Sequence, residues 1–325
     1  MKKSGGLPKI SFVVWAFNQE TFVRAALEAA LAQDYPNLEL VFSDDCSTDA
    51  TFEVMAEVAR AYRGPHEVVL NCNRENLGLR GIGLHVNAIM GLASGSLVIL
   101  AGGDDISIST RASVLHDAWA QAGYPEGCLY SAVELFDRIG ASRGVVGGFA
   151  EFAQQSIRQC VRLGAKGVLG ATLAVTPGLF VRFGPLPDGT LFEDRALAFR
   201  SLLAGQVIYS PQPLVHYRHH GDNLSGIENY SSPARWSRWI NGVGASFLGF
   251  STDYKTFSKD TGQPVDPGVL KEIDAGLQRA RRCRPLVSAQ WWKRLTAAWF
   301  FSEDFPLRSR LGFIRSITLG RDPRG

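Results

Sequence analysis

The stretch that decides the fold is Ser96-Leu97-Val98-Ile99-Leu100-Ala101-Gly102-Gly103-Asp104-Asp105-Ile106-Ser107. Its apolar run, bounded by glycines, predicts a strand buried on both faces. The two glycines let a backbone approach a ligand closely, and the two adjacent carboxylates are hard oxygen ligands suited to Mg²⁺ or Mn²⁺. The alternative is an aspartate-rich turn before the next helix, with Ser107 or Ser109 as its N-cap.

Composition and cysteine content limit the class of protein. The chain has 325 residues, of which 46% are hydrophobic and 20% charged, as in ordinary globular proteins. No apolar run reaches the roughly 18 residues of a membrane-spanning helix, and no apolar stretch typical of a secretory signal follows Met1-Lys2-Lys3. The five cysteines are scattered without a Cys-x-x-Cys pair. They predict reduced thiols in a cytoplasmic protein, with neither a disulfide framework nor a zinc site.

The first half of the chain alternates strand and helix patterns. Apolar, β-rich runs at Ile10 to Val14, Leu38 to Phe42 and Val68 to Leu70 predict strands, and the segments between them have helical spacing. Asn18 is the predicted N-cap of the first helix. Because parallel strands need helical crossovers, the pattern predicts an α/β fold with a mostly parallel central sheet flanked by helices.

Two acidic pairs follow predicted strands. Asp44-Asp45 comes directly after the second strand, and Asp104-Asp105 follows the central one. Ligands of such sheets bind outside the carboxyl ends of the strands. Both pairs are therefore expected to face one crevice.

The second half is less regular. Leu129 to Phe136 predicts a strand, Gly140 to Gly148 a glycine-rich loop without fixed structure, and Val207 to Tyr209 and Leu214 to Tyr217 two short strands. The chain beyond Tyr230 is predicted to be helical.

Several short segments in a fixed order carry a family resemblance. They are Trp15-Ala16-Phe17-Asn18-Gln19-Glu20, Asp44-Asp45-Cys46-Ser47-Thr48-Asp49, Asn76-Leu77-Gly78, Asn87, Gly103-Asp104-Asp105, Glu193-Asp194 and Tyr217-Arg218-His219-His220. In this order and spacing, the chain from Lys9 to Ser225 resembles family 2 glycosyltransferases of the GT-A fold.

The resemblance implies a domain plan. It predicts a GT-A catalytic domain over residues 1–228, with a nucleotide-sugar-binding half at 1–107 and an acceptor-binding half at 108–228. Residues 229–325 are predicted to form a basic, aromatic-rich helical C-terminal region. The expected activity is inverting transfer of a sugar from a UDP- or dTDP-linked donor to a glycan or lipid-linked glycan in surface polysaccharide biosynthesis.

The resemblance also assigns roles to residues. The expected ligands of Mn²⁺ or Mg²⁺ are Asp104, Asp105 and His220, and Asp45, or alternatively Asp44, accepts the N3–H of uracil or thymine. The donor-binding set comprises Ala16, Phe17, Asn18, Glu20, Asp44, Asp45, Asn76, Gly78, Asn87, Gly103, Asp104 and Arg218.

Glu193-Asp194 stands where the family places its catalytic carboxylate. Asp194 is predicted to be the general base that deprotonates the acceptor hydroxyl, and Glu193 to lie on the acceptor side. One base without an enzyme nucleophile implies inversion of configuration. The alternative is that both carboxylates only favour the dipole at a helix N-terminus.

Three departures from the family pattern leave other functions open. Gly102 replaces the usual first aspartate of the metal motif, Val86 replaces an arginine before Asn87, and Trp15 replaces a frequent proline. The loss at Gly102 raises the alternative of a catalytically degenerate nucleotide-sugar-binding module. A nucleotide-dependent oxidoreductase is a further alternative, disfavoured because no Gly-x-Gly-x-x-Gly follows the first strand.

Charge sets the C-terminal region apart. From Arg279 onward the chain carries eleven basic and three acidic residues, a net charge of +8, so the remainder is at −5 within the total of +3. Apolar residues recur there at helical spacing, namely Val287, Trp291, Leu295 and Trp299. The pattern predicts either a helical cap or a surface that lies on the inner face of the cytoplasmic membrane near a lipid-linked acceptor. No nucleic-acid partner is expected.

Overall fold

The computed structural model describes residues 6–136, 141–146, 150–163, 168–218 and 233–284. Its first half contains β1 (Ile10–Ala16), α1 (Val23–Leu31), β2 (Leu38–Asp44), α2 (Thr51–Ala61), β3 (Glu67–Cys72), α3 (Ile82–Leu92), β4 (Leu97–Gly102), β5 (Ile106–Ser107) and α4 (Arg111–Gln121). Its second half contains β6 (Cys128–Phe136), β7 (Ser142–Val146), α5 (Ile157–Arg162), β8 (Ala174–Val175), α6 (Gly178–Phe183), α7 (Glu193–Ala204), β9 (Val207–Arg218), α8 (Pro233–Thr261) and α9 (Pro267–Cys283).

One sheet joins both halves. The strand order is β3-β2-β1-β4-β8-β6-β9-β5, and β7 pairs with β6. The first four strands of this order are parallel, as are β6 and β9, whereas β8 runs antiparallel to both β4 and β6. The predicted α/β class with a mostly parallel sheet is confirmed.

Helices cover both faces of this sheet, which explains the unbroken apolar runs of the central strands. Phe12 and Val14 of β1 pack on one face with residues of α1, α2 and α4. Val13 packs on the other face with residues of α3, α7, α8 and α9. Because neighbouring strand residues point to opposite faces, six of the seven residues of β1 and all seven of β2 are buried.

The structure corrects three expectations. Asn18 is not a helix N-cap, because α1 begins at Val23 after a turn. The segment predicted as an unstructured loop contains β7, an exposed strand that forms by pairing with β6. The two short strands predicted on either side of Pro211 and Pro213 are one strand, β9, whose register with β6 shifts beside them.

Helices α8 and α9 share a core with α7 and with one face of the sheet. Phe247 and Phe250 of α8 belong to the same buried cluster as Phe199 of α7. Arg200 of α7 forms a buried ion pair with Asp253 of α8, with 2.9 Å between Nε and Oδ2. The predicted helical extension is therefore present as far as residue 283, and the domain boundary at 228 stays a prediction. Among the described residues, no helix is long and apolar enough to cross a membrane.

Candidate active site

The loops after β1 and β2 are tied together at the carboxyl edge of the sheet. Asn18 has a φ of 51°, its Oδ1 accepts the backbone N–H of Thr48 at 2.8 Å, and its own N–H donates to Ser47 Oγ at 2.9 Å. Glu20 Oε2 accepts the N–H of Ala50 at 2.9 Å. These two predicted donor-binding side chains thus shape the crevice wall, whereas Phe17 beside them is 42% exposed.

The structure distinguishes the two carboxylates that end β2. Asp44 is fully buried and accepts the N–H of Ser47 at 2.8 Å on Oδ2 and the hydroxyl of Ser47 at 2.5 Å on Oδ1. In Asp45, Oδ1 accepts Asn73 Nδ2 at 2.8 Å and the N–H of Leu77 at 3.0 Å, while Oδ2 accepts the N–H of Gly78 at 2.8 Å. Since each carboxylate oxygen accepts about two hydrogen bonds, Asp45 Oδ2 retains capacity for one more donor.

The turn after β3 is built against Asp45. Asn76 Oδ1 accepts the N–H of Leu79 at 2.9 Å and so caps a short 3₁₀ turn, Leu77–Leu79. A Cβ at Gly78 would lie 3.0 Å from Asp45 Oδ2 and 3.3 Å from Asn76 Oδ1. A larger residue at 78 would therefore push the turn away from the carboxylate.

Asn87 has a positioning role in the structure. Its Nδ2 donates to the carbonyl of Leu186 at 2.9 Å, and its Oδ1 accepts the N–H of Leu186 at 2.8 Å. These bonds fix the loop between α6 and α7. The donor contact predicted for Asn87 would compete with this pair and stays a prediction.

Sequence reasoning missed a buried polar network behind Asp45. His85 Nε2 lies 2.8 Å from Ser43 Oγ, and its Nδ1 lies 3.9 Å from Asp45 Oδ1. Asn71 Nδ2 also donates to Ser43 Oγ at 3.1 Å. Burial lowers the pKa of His85, and the charges of Asp45 and Asp44 oppose this shift. A polar residue inside an apolar strand, such as Ser43, was the available signal.

The Ser96–Ser107 stretch forms the centre of the crevice. The N–H of Gly103 donates to the carbonyl of Trp15 at 3.0 Å, which joins the ends of β4 and β1. A Cβ at Gly103 would lie 2.6 Å from Gln19 Oε1 and 2.7 Å from the Cβ of Ala16, so no side chain fits without displacement. Glycine is required here by this close approach to Gln19 and Ala16, whereas the approach to a ligand expected from the sequence stays a prediction.

Asp104 and Asp105 converge over Gly102. A Cβ at Gly102 would lie 2.9 Å from Asp104 Oδ1 and 3.3 Å from Asp105 Oδ2. The two carboxylates thus occupy the space that a side chain at position 102 would need. In the described part of the chain, no group of three or more His, Cys, Asp or Glu could hold a metal ion. The pair nevertheless fits Mg²⁺ or Mn²⁺, which are commonly held by one or two carboxylates together with substrate phosphates.

Arg218 at the end of β9 lies against this pair. Its N–H donates to Asp105 Oδ1 at 2.9 Å, and its Nε donates to the carbonyl of Asp104 at 3.2 Å. Its guanidinium carbon lies 4.9 Å from the centre of the Phe22 ring. Arg218 therefore lies beside Asp104 and Asp105, and its predicted contact with the donor stays a prediction. His220, the third predicted metal ligand, lies outside the described residues.

A buried arginine behind the pair was also missed from the sequence. Arg111 is fully buried and donates to Ser107 Oγ at 3.0 Å and to the carbonyl of Leu100 at 2.9 Å. Burial lowers the pKa of Arg111 to about 9, and the charge of Asp105 opposes this shift. Burial, followed by the adjacent Asp104, raises the pKa of Asp105 well above its usual value.

Glu193 and Asp194 are the first two residues of α7, as predicted. Glu193 is buried, and burial, followed by the charge of Asp194, raises its pKa to about 8. Burial also raises the pKa of Asp194, whereas Arg195 opposes that shift. A Cβ at Gly170 would lie 2.8 Å from Glu193 Oε1, so a turn without a side chain packs on the pair. The two carboxyl groups therefore differ from solvated residues at a helix end.

Replacing Glu193 with glutamine should flatten the pH dependence of folding stability. Between pH 4.5 and about 8 the folded chain keeps a proton on Glu193 that the unfolded chain releases, so the stability of the wild-type protein falls as pH rises through this range. The contribution to the slope is up to about 1.4 kcal/mol per pH unit. Urea unfolding at several pH values measures it, and identical slopes in both proteins would contradict the buried, protonated state of Glu193.

Comparisons with known proteins agree with this geometry. Residues 11–123 match the model of Glycosyl transferase family 2. A 104-residue segment, 32% of this chain, is 26% identical to the UDP-Glc:alpha-D-GlcNAc-diphosphoundecaprenol beta-1,3-glucosyltransferase WfaP of Escherichia coli and covers 38% of that protein. The matched segments span 36% to 60% of the length of the first curated relatives.

Solved structures match over nearly the whole chain. S. aureus TarS 1-349 in complex with UDP-GlcNAc superposes with a TM-score of 0.57 at 17% identity, covering 96% of this chain and 92% of that one. The mannosyltransferase PcManGT of Pyrobaculum calidifontis, in complex with GDP-Man and Mn²⁺, gives a TM-score of 0.53 at 16% identity. The superposition covers 90% of this chain and 88% of that one. The resemblance seen in the sequence is confirmed: residues 11–123 match the model of Glycosyl transferase family 2, and the chain has the GT-A fold.

Proposed function

We propose that the chain is a glycosyltransferase that moves a sugar, with inversion, from a uridine or thymidine diphosphate sugar to a hydroxyl of a glycan or lipid-linked glycan. The observation that carries this proposal is the convergence of Asp104 and Asp105 over Gly102 at the end of β4. When bound to this pair, Mn²⁺ or Mg²⁺ would stabilise the negative charge that builds on the departing diphosphate. PcManGT, which shares the fold, is complexed with Mn²⁺.

Asp45 favours a pyrimidine donor. Its Oδ2 has capacity for one further hydrogen-bond donor, which suits the single N3–H of uracil or thymine. Guanine presents N1–H and an amino group side by side and needs two acceptors. TarS was solved in complex with UDP-GlcNAc, and WfaP is named as a transferase that uses UDP-Glc. Both support a uridine diphosphate sugar as the donor.

The chain's own residues would organise a single displacement. Asp194 accepts the proton of the acceptor hydroxyl as that oxygen forms its bond to the anomeric carbon. The bond from the anomeric carbon to the diphosphate breaks, and the nucleoside diphosphate leaves with the electron pair. Arg218, held against Asp104 and Asp105, places a positive charge beside the leaving group. One displacement on the face opposite the leaving group inverts the configuration.

A lipid-linked acceptor fits one relative, WfaP, and the charge pattern of the chain. WfaP is named for a diphosphoundecaprenol-linked acceptor. The C-terminal region carries a net charge of +8 from Arg279 onward, and basic residues beside an anionic membrane contribute about 1 kcal/mol each. We propose a cytoplasmic enzyme that reaches its acceptor at the inner membrane surface. Trp291, Leu295 and Trp299, on which the membrane hypothesis depends, lie outside the described residues.

A panel of nucleotides and nucleotide sugars tests the proposal. We expect UDP or dTDP to bind at least about tenfold more tightly with Mn²⁺ than without it, and more tightly than GDP, because the diphosphate completes the coordination of the ion. Isothermal titration calorimetry measures affinity, and release of nucleoside diphosphate from each sugar donor measures turnover. Absence of binding to every member would contradict the proposal.

The degenerate binding module remains the second candidate, since Gly102 provides no carboxylate. It predicts nucleotide-sugar binding without donor hydrolysis or transfer in the same panel. A nucleotide-dependent oxidoreductase predicts binding of NAD instead.

A further inference from the structure

The turn beside Asp45 is held from two sides. On its inner side the N–H groups of Leu77 and Gly78 donate to the two oxygens of Asp45 at 3.0 and 2.8 Å. On its outer side the carbonyl of Gly78 accepts a hydrogen bond from Nη2 of Arg238, a residue 160 positions further along the chain. A single glycine residue therefore links the carboxylate proposed to bind the nucleobase to the C-terminal helix α8.

Apolar packing does little to hold this turn. None of the residues Leu77–Leu79 is buried, and Leu79 is 72% exposed. The turn follows β3, which pairs with β2 at the end of the strand order. Arg80, directly after it, forms an ion pair with Asp188 in which both side chains are 58% exposed. Surface ion pairs of this kind contribute little to stability, so the position of the turn depends mainly on its backbone hydrogen bonds.

Helix α8 is a rigid support for Arg238. Its later residues share the buried core with α7, and its Asp253 pairs with Arg200 in the interior. Near Arg238, the ring of Trp239 lies edge-on to Phe192, with 6.3 Å between ring centres. A Cβ at Gly242 would lie 2.6 Å from that of Leu191, so the helix backbone passes close to the residues before Glu193. The same part of α8 thus borders both the turn and the start of α7.

We propose that Arg238 is a positioning residue of the nucleotide site. By binding the carbonyl of Gly78 it holds the N–H groups of Leu77 and Gly78 on Asp45, and it thereby keeps Asp45 Oδ2 oriented with one acceptor position available to the nucleobase. Helix α8 is then part of the donor site, although it lies outside residues 11–123 that match the family model. This inference rests on the proposed function, in which the crevice binds a pyrimidine nucleoside diphosphate.

The test compares Arg238→Met with Arg238→Lys and a matched control. Arg158→Met is the control, because Arg158 also connects the body to the helical extension, through Glu272 of α9 at 3.3 Å, but lies away from the turn. Hydrogen bonds that involve a charged group justify an expected loss of UDP affinity of about tenfold or more in Arg238→Met. Arg238→Lys, which keeps a charged donor, should recover most of the affinity, and Arg158→Met should bind as the wild type does.

Hydrogen exchange in the nucleotide-free protein gives a second measurement. We expect the amides of Leu77 and Gly78 to exchange faster in Arg238→Met than in the wild type and in Arg158→Met, while the thermal midpoints of the two variants stay similar. Unchanged exchange and unchanged UDP affinity would overturn the proposal, as would equal losses in Arg158→Met. If Arg238→Met fails to fold, Arg238→Gln, which also removes the charge and shortens the side chain, takes its place in both measurements with the same expected losses. If the wild type binds no nucleotide, the proposed function fails, whereas the exchange data still test whether Arg238 holds the turn.

Discussion

Asp194→Asn should lower the rate of sugar transfer by about 10²- to 10⁴-fold while UDP affinity changes less than twofold. An amide cannot accept the proton of the acceptor hydroxyl, but it keeps the volume of the carboxylate and can keep the bond that Oδ1 accepts from the N–H of Arg195. Initial rates with a saturating donor, together with titration of UDP, separate the two effects. A transfer rate within a factor of two of the wild type would place the base elsewhere.

Glu193→Gln is the matched control for that experiment. Because burial raises the pKa of Glu193 to about 8, this side chain is mostly protonated at neutral pH, and glutamine resembles it in shape and charge. We expect Glu193→Gln to retain most of its activity at pH 7. A loss as large as that of Asp194→Asn would instead identify Glu193 as the base.

Asp104→Asn should remove the metal-dependent part of nucleotide binding. Loss of a carboxylate from a two-carboxylate site is expected to lower UDP affinity in Mn²⁺ by about 100-fold, because even residues that only orient metal ligands contribute 10- to 100-fold. The fold should persist, since the change also relieves the repulsion between Asp104 and Asp105. Calorimetric titration of UDP with and without Mn²⁺ measures the effect.

Asp117→Asn provides the control for Asp104→Asn. Asp117 is a 70% exposed carboxylate on α4, where it lies beside His116. The Asp117→Asn variant should bind UDP as the wild type does at every Mn²⁺ concentration. Equal metal-dependent affinity in Asp104→Asn and the wild type would contradict the role assigned to Asp104.

The sequence was sufficient to predict the central strands and the residues at their carboxyl ends. Strands buried on both faces leave continuous apolar runs, and the runs at β1, β2 and β4 end directly before the polar residues of the crevice. Acidic pairs at such strand ends can be recognised from the neighbouring residues alone. Both pairs lie at the same edge of the sheet because the strands are parallel, with Ala16 opposite Asp44 and Trp15 opposite Gly102.

Features that depend on distant partners were not predictable. Strand β7 contains Gly144 and exposed residues, so its sequence has no strand periodicity. It forms by pairing with Val133 to Phe136 of β6, beyond the two residues of β6 that pair with β8. His85 and Arg111 lie in helices whose other residues give no indication that these side chains are buried next to the acidic pairs. Arg238 is an unremarkable basic residue in a helix until the fold brings it to Gly78.

Gly102 makes the evolution of positions 102 and 104 interdependent. A side chain added at 102 would meet the tip of the Asp104 side chain at 2.9 Å, and this tip can rotate away without moving the backbone. A substitution there would therefore displace a proposed metal ligand and would also crowd Asp105, whose Oδ2 would lie 3.3 Å from the added Cβ. An aspartate introduced at position 102 would add a carboxylate and at the same time crowd that of Asp104. The effect on activity of the residue at 102 thus depends on the residue at 104, and the reverse also holds. A change from glycine at 102 with aspartate at 104 to an aspartate at 102 requires substitutions at both positions.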